Sequence, residues 1–212
     1  MNQILEVKKK INYIRKKNLF YKKLFFLSIF TTILLNIYLF TKINNINKKE
    51  EISKILLDNY DISNLYSTTN TEENYRADFQ NFNNSNEIFC IIKIPKINIK
   101  YPVLNIVNKD NLRISPVKFS GRSLKENSNI CIAGHNYNNN LFFSDINKLN
   151  SGDKIYLYDK FNNILIYKVY DIYEVNKNNL SPIKDQTEFK ELTLITCNNL
   201  NSNRIIVKAK IP

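Results

Sequence analysis

The feature that most constrains this chain is an apolar run at positions 24–40 that contains no charged side chain. As an α-helix the run would be about 26 Å long, slightly less than the roughly 30 Å hydrocarbon core of a bilayer. Lys22, Lys23 and Lys42 flank it, and their long side chains can reach the headgroups. A buried core helix would show a polar face, whereas this run offers only Asn36 and a few hydroxyls. The run therefore predicts a transmembrane helix.

A cleaved signal peptide is the other interpretation of this run. Such a peptide would end in small residues at a cleavage site, but the sequence after Phe40 reads Thr-Lys-Ile-Asn-Asn-Ile. We therefore expect an uncleaved anchor. Because basic residues collect before the run, the positive-inside rule predicts that residues 1–23 are a basic cytoplasmic N-terminus and that the chain after the anchor is extracellular.

The charge of the chain raises the question of a nucleic-acid partner, since the formal net charge is +12. Residues 1–42 carry nine basic side chains against one acidic side chain, and residues 43–212 carry 22 against 18. The excess therefore lies beside the anchor and not in a basic domain. We expect no nucleic acid as a partner.

Residues 41–86 are polar and rich in asparagine, with one helical patch around Ile52, Ile55, Leu56 and Leu57. Few residues between 65 and 86 could build a core, and we interpret the segment as a polar stalk.

In residues 87–212 the sequence pattern changes to short β-branched and aromatic runs separated by turn residues. This pattern indicates a sandwich or a barrel. Single helical turns are predicted at Asp110–Ile114 and Phe142–Leu149. The predicted strands are Ile88–Ile94, Ile97–Leu104, Asn129–Ala133, Lys154–Tyr158, Ile164–Val175, Leu192–Cys197 and Arg204–Lys210.

The last two predicted strands flank a short, asparagine-rich loop and read as a β-hairpin. The hairpin places Cys197 opposite Arg204, and residues opposite each other in an antiparallel pair lie roughly 5 Å apart. The final strand alternates in the way that predicts a half-buried strand. Its two faces would carry Ile205, Val207, Ala209 and Ile211 on one side, and Arg204, Ile206, Lys208 and Lys210 on the other.

The only histidine, His135, also follows an apolar run, at the end of another predicted strand. A nucleophilic cysteine acts as the thiolate and needs a base or a lowered pKa, which His135 can supply. The guanidinium of Arg204 can stabilise developing negative charge. Each residue alone has a plainer interpretation: a structural histidine, a packed cysteine or a solvated arginine.

The other two cysteines, Cys90 and Cys131, lie inside apolar runs, where free cysteine behaves as a small hydrophobic residue. Their spacing fits neither a zinc site nor a redox pair. A disulfide between them stays open, although nothing in the sequence requires one.

Three motifs together resemble the sortases, the membrane-anchored cysteine transpeptidases of Gram-positive bacteria. They are Leu-Thr-Leu-Ile-Thr-Cys at 192–197 followed by Arg204, Ala-Gly-His-Asn at 133–136, and Ile-Lys-Ile-Pro-Lys-Ile-Asn-Ile-Lys-Tyr-Pro-Val at 92–103. The resemblance implies a closed eight-stranded β-barrel over residues 87–212, with one or two short helices. It also implies that Cys197 is the nucleophile, His135 the general acid and base, and Arg204 the stabiliser of the transition state or substrate, while Thr196 helps to line the substrate groove.

The resemblance further implies a two-step acyl transfer. Cys197 would attack the carbonyl after the threonine of a Leu-Pro-x-Thr-Gly sorting signal on a surface protein, and an amine of cell-wall precursor or a pilin would resolve the thioacyl-enzyme. The connection at about Asn176–Lys190 would shape the pocket for the Leu-Pro part. The compact interval between His135 and Cys197 favours class D or a class A-like type.

No cofactor or metal is expected, because Asp145, Asp153 and Glu174 form no convincing calcium motif in the sequence. The residues alone are also compatible with two other functions. One is a membrane-tethered cysteine peptidase on the same scaffold, with water in place of the amine. The other is a non-catalytic surface-binding barrel that retains the three residues.

Overall fold

The computed structural model describes residues 2–65, 88–185 and 188–212. Helix α1, Asn2–Leu65, contains the uncharged run. By length and composition it can cross a membrane, since an 18-residue stretch within Lys10–Asp58 has a mean hydropathy of 2.0 and none of it is buried in the protein. Residues up to Lys48 form one compact unit and residues from Lys49 onward form a second.

The last part of α1 belongs to the second unit, although the sequence predicts a polar stalk there. Leu56 is buried in a small cluster with Leu104 and Val117. The hydroxyls of Ser53 and Ser115 form a buried hydrogen bond of 3.2 Å. This segment therefore covers part of the barrel, because its apolar positions recur at helical spacing and find a surface to bury. The rest of the predicted stalk, 66–87, lies outside the described residues.

The second unit is a closed barrel of eight strands, which confirms the all-β fold class implied by the resemblance. In chain order the strands are β1 Ile88–Ile94, β2 Ile99–Leu104, β3 Val117–Ser120, β4 Asn129–Ala133, β5 Lys154–Tyr158, β6 Ile164–Val175, β7 Glu191–Cys197 and β8 Arg204–Lys210.

The strands follow the order β1-β2-β3-β4-β7-β8-β6-β5 around the barrel, and β5 pairs with β1 to close it. Two neighbouring pairs are parallel, β2 with β3 and β4 with β7. The short helix α2, Lys109–Ile114, lies in the connection between β2 and β3, and the side chain of Asn108 caps it by accepting from the backbone N–H of Asn111 at 2.7 Å. The parallel pairing of β4 and β7 matters most, because their carboxyl ends meet at one rim.

The barrel interior is filled by apolar side chains from every strand except β3, together with the loop after β4. The largest fully buried side chains include Tyr167, Phe142 and Phe143. Cys90 also lies in this core and is fully buried. Such burial is the main free-energy source for a domain of this size.

Besides one-residue shifts at the starts of α2 and β7, four details differ from the predictions made from the sequence. The strand β3 is not predicted because it has only four residues and follows Pro116. The strand β2 starts at Ile99 and not at Ile97, because Pro95–Ile97 forms a 3-10 turn that ends with Asn98 at a φ of 52°. Of Phe142–Leu149, only Ile146–Lys148 is helical. The outer face of β8 is exposed only toward its two ends, since Ile206 and Lys208 in its middle are both buried.

Candidate active site

The β7–β8 hairpin forms as the sequence predicts, and it pairs Cys197 directly with Arg204. The loop of residues 198–203 is closed by a bond from the backbone N–H of Asn198 to the carbonyl of Asn203, 3.0 Å long. The thiol and the guanidinium are therefore cross-strand neighbours at the open end of the hairpin.

His135 is brought to the same rim by the parallel pairing of β4 with β7. Ala133 pairs with Ile195, and the N–H of Gly134 extends the ladder by donating to the carbonyl of Ile195 at 3.0 Å. The next residue along the chain is His135. A side chain at Gly134 would not fit, because a Cβ there would lie 2.7 Å from ring atoms of Phe143.

Two side-chain bonds tie the histidine segment to the cysteine strand. The hydroxyl of Thr196 donates to the carbonyl of Gly134 at 2.8 Å. The side-chain amide of Asn136 donates to the carbonyl of Cys197 at 3.0 Å. The segment on both sides of His135 is thus bonded to the strand that carries the thiol. This role of Asn136 is not evident in the sequence, because nothing near Asn136 identifies its distant partner.

One groove of about 320 Å³ contains all four residues that the sequence selects: Cys197, His135, Arg204 and Thr196. Thr196 lies in its wall but is only 2% exposed, and its hydroxyl is committed to Gly134. Apart from Lys177, the remaining lining is uncharged, and it consists of Val107, Leu112, Val117, Phe119, Ala133, Gly134, Val175, Asn179, Leu180, Pro182, Ile183, Ile195 and Ile206.

The connection between β6 and β7 supplies one side of this groove, where the resemblance implied a pocket. It contributes Lys177, Asn179 and Leu180, together with Pro182 and Ile183 of the 3-10 turn Ser181–Ile183. Below it the outer face of β8 contributes Ile206. The lining of this groove thus combines an apolar wall with Cys197.

His135 is half-buried, and its ring lies 4.9 Å from the ring of Tyr137, centroid to centroid. Burial lowers the pKa of His135 from its ordinary value of 6.5, and the nearby cations Lys49 and Arg113 lower this pKa further. Each of these effects disfavours the imidazolium. Near neutral pH the imidazole is mainly uncharged and can accept a proton from a thiol.

Arg204 keeps a positive charge without a carboxylate partner in the described part of the chain. Its Nη1 donates to the carbonyls of Asn203, at 3.2 Å, and Ser202, at 3.4 Å. Carbonyl acceptors orient a guanidinium but do not neutralise it. The planar guanidinium fork of Arg204 can thus stabilise negative charge that develops beside Cys197.

The three cysteines have different environments. Cys197 is partly exposed, whereas Cys90 and Cys131 are fully buried, and all three are free thiols. Desolvation raises the pKa of Cys90 and of Cys131. Both buried thiols are thereby kept protonated, and no disulfide links them.

The loop between Cys197 and Arg204 is organised by Glu174 on β6. The side-chain amides of Asn198, Asn201 and Asn203 donate to its carboxylate at 2.6 to 2.8 Å and lower its pKa. The two other acidic residues considered for calcium have separate partners. Asp145 pairs with Lys148 at 2.9 Å, and Asp153 accepts from the N–H of Asn150 at 2.8 Å.

The comparisons with known proteins agree on the family. Residues 92–211 match the model of the sortase domain. Sortase A of Bacillus anthracis is 35% identical over 119 residues, which cover 55% of this chain and 56% of that protein. The chain spans about half the length of the curated relatives it matches.

Two solved structures extend the likeness to the fold. The Clostridium perfringens sortase D5 transpeptidase is 26% identical with a TM-score of 0.59, over 76% of this chain and 99% of that chain. The Clostridium perfringens sortase C with the C-terminal cell wall sorting motif is 25% identical with a TM-score of 0.55, over 81% of this chain and 89% of that chain. With an eight-stranded barrel, the three motifs and a family match over more than half of its length, this chain belongs to the sortase family.

Proposed function

We propose that this protein is a membrane-anchored cysteine transpeptidase that cleaves a sorting signal of the Leu-Pro-x-Thr-Gly type and transfers the acyl part to an amine. The observation that carries the proposal is the convergence of Cys197, His135 and Arg204 on one groove. A nucleophile, a base and an oxyanion-stabilising cation at one site are the parts that acyl transfer requires.

In the first step His135 accepts the proton of the Cys197 thiol, and the sulfur attacks the carbonyl carbon after threonine. Negative charge develops on the carbonyl oxygen beside the Arg204 fork, which stabilises it. The C–N bond then breaks, and His135 returns its proton to the leaving amine. The product is a thioacyl-enzyme.

In the second step an amine attacks the thioester carbon, and His135 takes the proton that the amine loses. The C–S bond breaks and Cys197 regains its proton, so the enzyme is restored and a new amide bond has formed. We propose an amine of cell-wall precursor or of a pilin as the acceptor. Hydrolysis would follow the same path with water as the attacking group.

The apolar wall formed by Val175, Leu180, Ile183 and Ile206 supports the assignment of this side of the groove to the Leu-Pro part of the signal. Binding there would set the threonine carbonyl against the thiol. The compact interval between His135 and Cys197 and the likeness to sortase A and sortase D5 support class D or a class A-like type.

We also propose that the N-terminus is cytoplasmic and that the barrel is extracellular at the cell membrane. The apolar part of α1 and the basic residues before it support this orientation. An enzyme that sorts surface proteins would then be held where secreted substrates emerge.

The test uses the full chain in neutral detergent, a library of sorting peptides and several candidate amines, with products read by mass spectrometry. We expect a peptide product joined to the amine, and an adduct on Cys197 when the amine is omitted. Cys197→Ala should abolish both, whereas Cys90→Ala, which removes a buried sulfur outside the groove, should retain activity per folded molecule.

Three results would contradict the proposal. Activity that survives Cys197→Ala would show that Cys197 is not the nucleophile. Water as the sole acceptor with every amine would make the protein a peptidase. Peptide binding without any cleavage would make it a surface-binding barrel.

A further inference from the structure

The strand β8 buries a lysine on the same face as Arg204. Residues 204, 206 and 208 point outward from the barrel, yet Lys208 is only 9% exposed. A lysine ammonium is rarely buried unless other groups satisfy its charge and its three donors. This ammonium lies beneath the β6–β7 connection, beyond the part of the groove that Ile206 lines.

All three donors of Lys208 are used. Its Nζ lies 2.6 Å from Oε2 of Glu191, 2.9 Å from Oγ1 of Thr193 and 3.1 Å from the carbonyl oxygen of Pro182. Glu191 is itself buried, and its other carboxylate oxygen accepts from the hydroxyl of Tyr170. The first two acceptors belong to strand β7, but the third belongs to the connection that forms the wall of the groove.

Asn129 on β4 holds the same turn from the other side. Its side-chain amide donates to the carbonyls of Pro182, at 2.9 Å, and Lys184, at 3.0 Å. Its backbone N–H donates to the carboxylate of Asp185 at 2.9 Å. Its side-chain amide oxygen accepts from the hydroxyl of Thr193 at 2.6 Å, which links Asn129 to Lys208.

The hydrogen bonds from Lys208 and Asn129 to residues 182–185, which we call the buried tie, therefore act on a segment that lines the groove. Pro182 is buried and Ile183 is partly buried, whereas residues 176–181 are exposed to solvent. The exposed residues that also line the groove are Lys177, Asn179 and Leu180. An exposed connection is held in one shape mainly by the points at which it is bonded to the barrel. The described hydrogen bonds from the buried barrel residues Lys208 and Asn129 to this connection converge on residues 182–185.

We propose that Lys208, with Glu191 and Asn129, is a positioning element that sets the wall of the groove for the apolar part of the sorting signal. This proposal rests on the proposed function. Lys208 contacts neither the reacting atoms nor the peptide, and its effect is exerted through the carbonyl of Pro182. Because the wall binds the peptide and does not take part in bond making, loss of the tie should weaken peptide recognition more than it slows the chemistry.

Cys131 offers a reporter of the wall that does not depend on turnover. It lies on β4 between Asn129 and Ala133, and residues two apart in a strand share a face. Thr193 is its partner in the ladder, and Cys131 is fully buried. Release of the wall should expose this thiol, whereas Cys90 lies in the barrel core and should stay protected unless the barrel unfolds.

The experiment compares wild type with the double variant Lys208→Met/Glu191→Gln, which removes both buried charges together. We expect KM for a sorting peptide to rise by about tenfold or more while kcat changes much less. Alkylation followed by mass spectrometry should show faster modification of Cys131, unchanged protection of Cys90 and an unchanged rate at Cys197 with a small reagent. Lys154→Met, at the exposed start of β5 and outside this network, is the matched control and should behave as wild type.

Asn129→Ala is the second variant, and it removes the bonds to Pro182 and Lys184 without removing the ion pair. The proposal predicts the same pattern, a raised KM and an exposed Cys131. An unchanged KM in both variants would overturn it, as would a fall in kcat that matches the rise in KM. Loss of Cys90 protection in both variants would also overturn it, because the network would then support the barrel and not the wall.

Failure of the proposed function has a different signature. A wild-type protein that does not cleave any sorting peptide would refute the transpeptidase. In that case peptide affinity, measured by fluorescence anisotropy, replaces KM, and the comparison of Cys131 between wild type and variants still decides whether the tie holds the wall.

Discussion

At the scale of single residues, His135 can be studied with unusual directness because it is the only histidine in the chain. Its imidazole C–H resonances in a proton NMR titration belong to one group. We expect a pKa below 6.5, since burial and the cations Lys49 and Arg113 all disfavour the imidazolium. Arg113→Gln should raise this pKa, whereas Lys148→Gln, whose ammonium pairs with Asp145, should leave it unchanged. A pKa at or above 6.5 in wild type would contradict the environment described for His135.

The same shift has a consequence for stability. The unfolded chain binds this proton more readily than the folded chain, so the contribution of His135 is fully present above pH 6.5 and is lost as the pH falls through the lower pKa of the folded state. We expect the thermal unfolding midpoint of wild type to fall on acidification through this window. In His135→Gln the unfolding midpoint should fall less over the same pH range. If calorimetry gave the same fall of the midpoint with pH in both proteins, the proposed link between His135 protonation and stability would be refuted.

Arg204 tests whether the shape of the cation matters as well as its charge. Arg204→Lys keeps the charge but replaces a planar fork by a point charge. We expect kcat/KM for a sorting peptide to fall by roughly 100-fold or more, in the range seen when one oxyanion donor is removed. Arg113→Lys is the control, because it also keeps a charge near the site and should cost little. Wild-type kinetics in Arg204→Lys would show that the fork has no role in the reaction.

At the scale of secondary-structure elements, the end of β4 depends on a glycine. A Cβ at Gly134 would lie 2.7 Å from the buried ring of Phe143, so Gly134→Ala must move the ring or the strand end that carries His135. We expect a destabilisation of about 1–3 kcal/mol, as for other overpacked sites, together with a loss of activity per folded molecule.

Gly152→Ala provides the comparison for this prediction. Gly152 has a φ of +94° and open space around it, so an alanine there is strained but meets no neighbour. We expect a cost of about 1–2 kcal/mol with normal activity in the folded fraction. Chemical denaturation gives the stabilities, and peptide cleavage gives the activities. Equal activity in the two variants would show that the site tolerates displacement of the strand end.

Local patterns predict the parts of this fold whose partners are near in sequence. The hairpin at Cys197 and Arg204 follows from two β-branched runs and a short loop, and the pairing of the two residues is confirmed. The core positions Val207 and Ala209 follow from the alternation along β8. The burial of Lys208 does not follow, because a period of two cannot show that the β6–β7 connection folds over that face.

The same limit applies to the candidate active site. The sequence selects Cys197, His135 and Arg204 because each lies at or next to the end of a strand, beside a polar loop, and these residues line one groove. It does not select Asn136, Asn129 or Glu174, whose hydrogen-bond partners are distant along the chain. Among so many asparagines, a single one carries no distinguishing signal.

At the scale of the whole molecule, the proposed anchor predicts how the protein is distributed in a cell. The full chain should stay in the membrane fraction after alkaline extraction, because an apolar helix is not released by changes in charge. A variant lacking residues 24–40 should appear in the soluble fraction, whereas Asn36→Ser, which leaves the run uncharged, should not. Release of the wild type by alkali would contradict an integral anchor.

The parallel register of β4 and β7 implies where this molecule tolerates changes of length. Direct backbone bonds between these two strands align the positions of His135 and Cys197. The length of the chain that joins the two strands therefore does not affect this alignment. Exposed loop tips, such as the one near Phe161 between β5 and β6, could therefore accept an inserted tag or a small domain without disturbing the chemistry. A single-residue insertion within β7 would instead turn Cys197 toward the barrel interior.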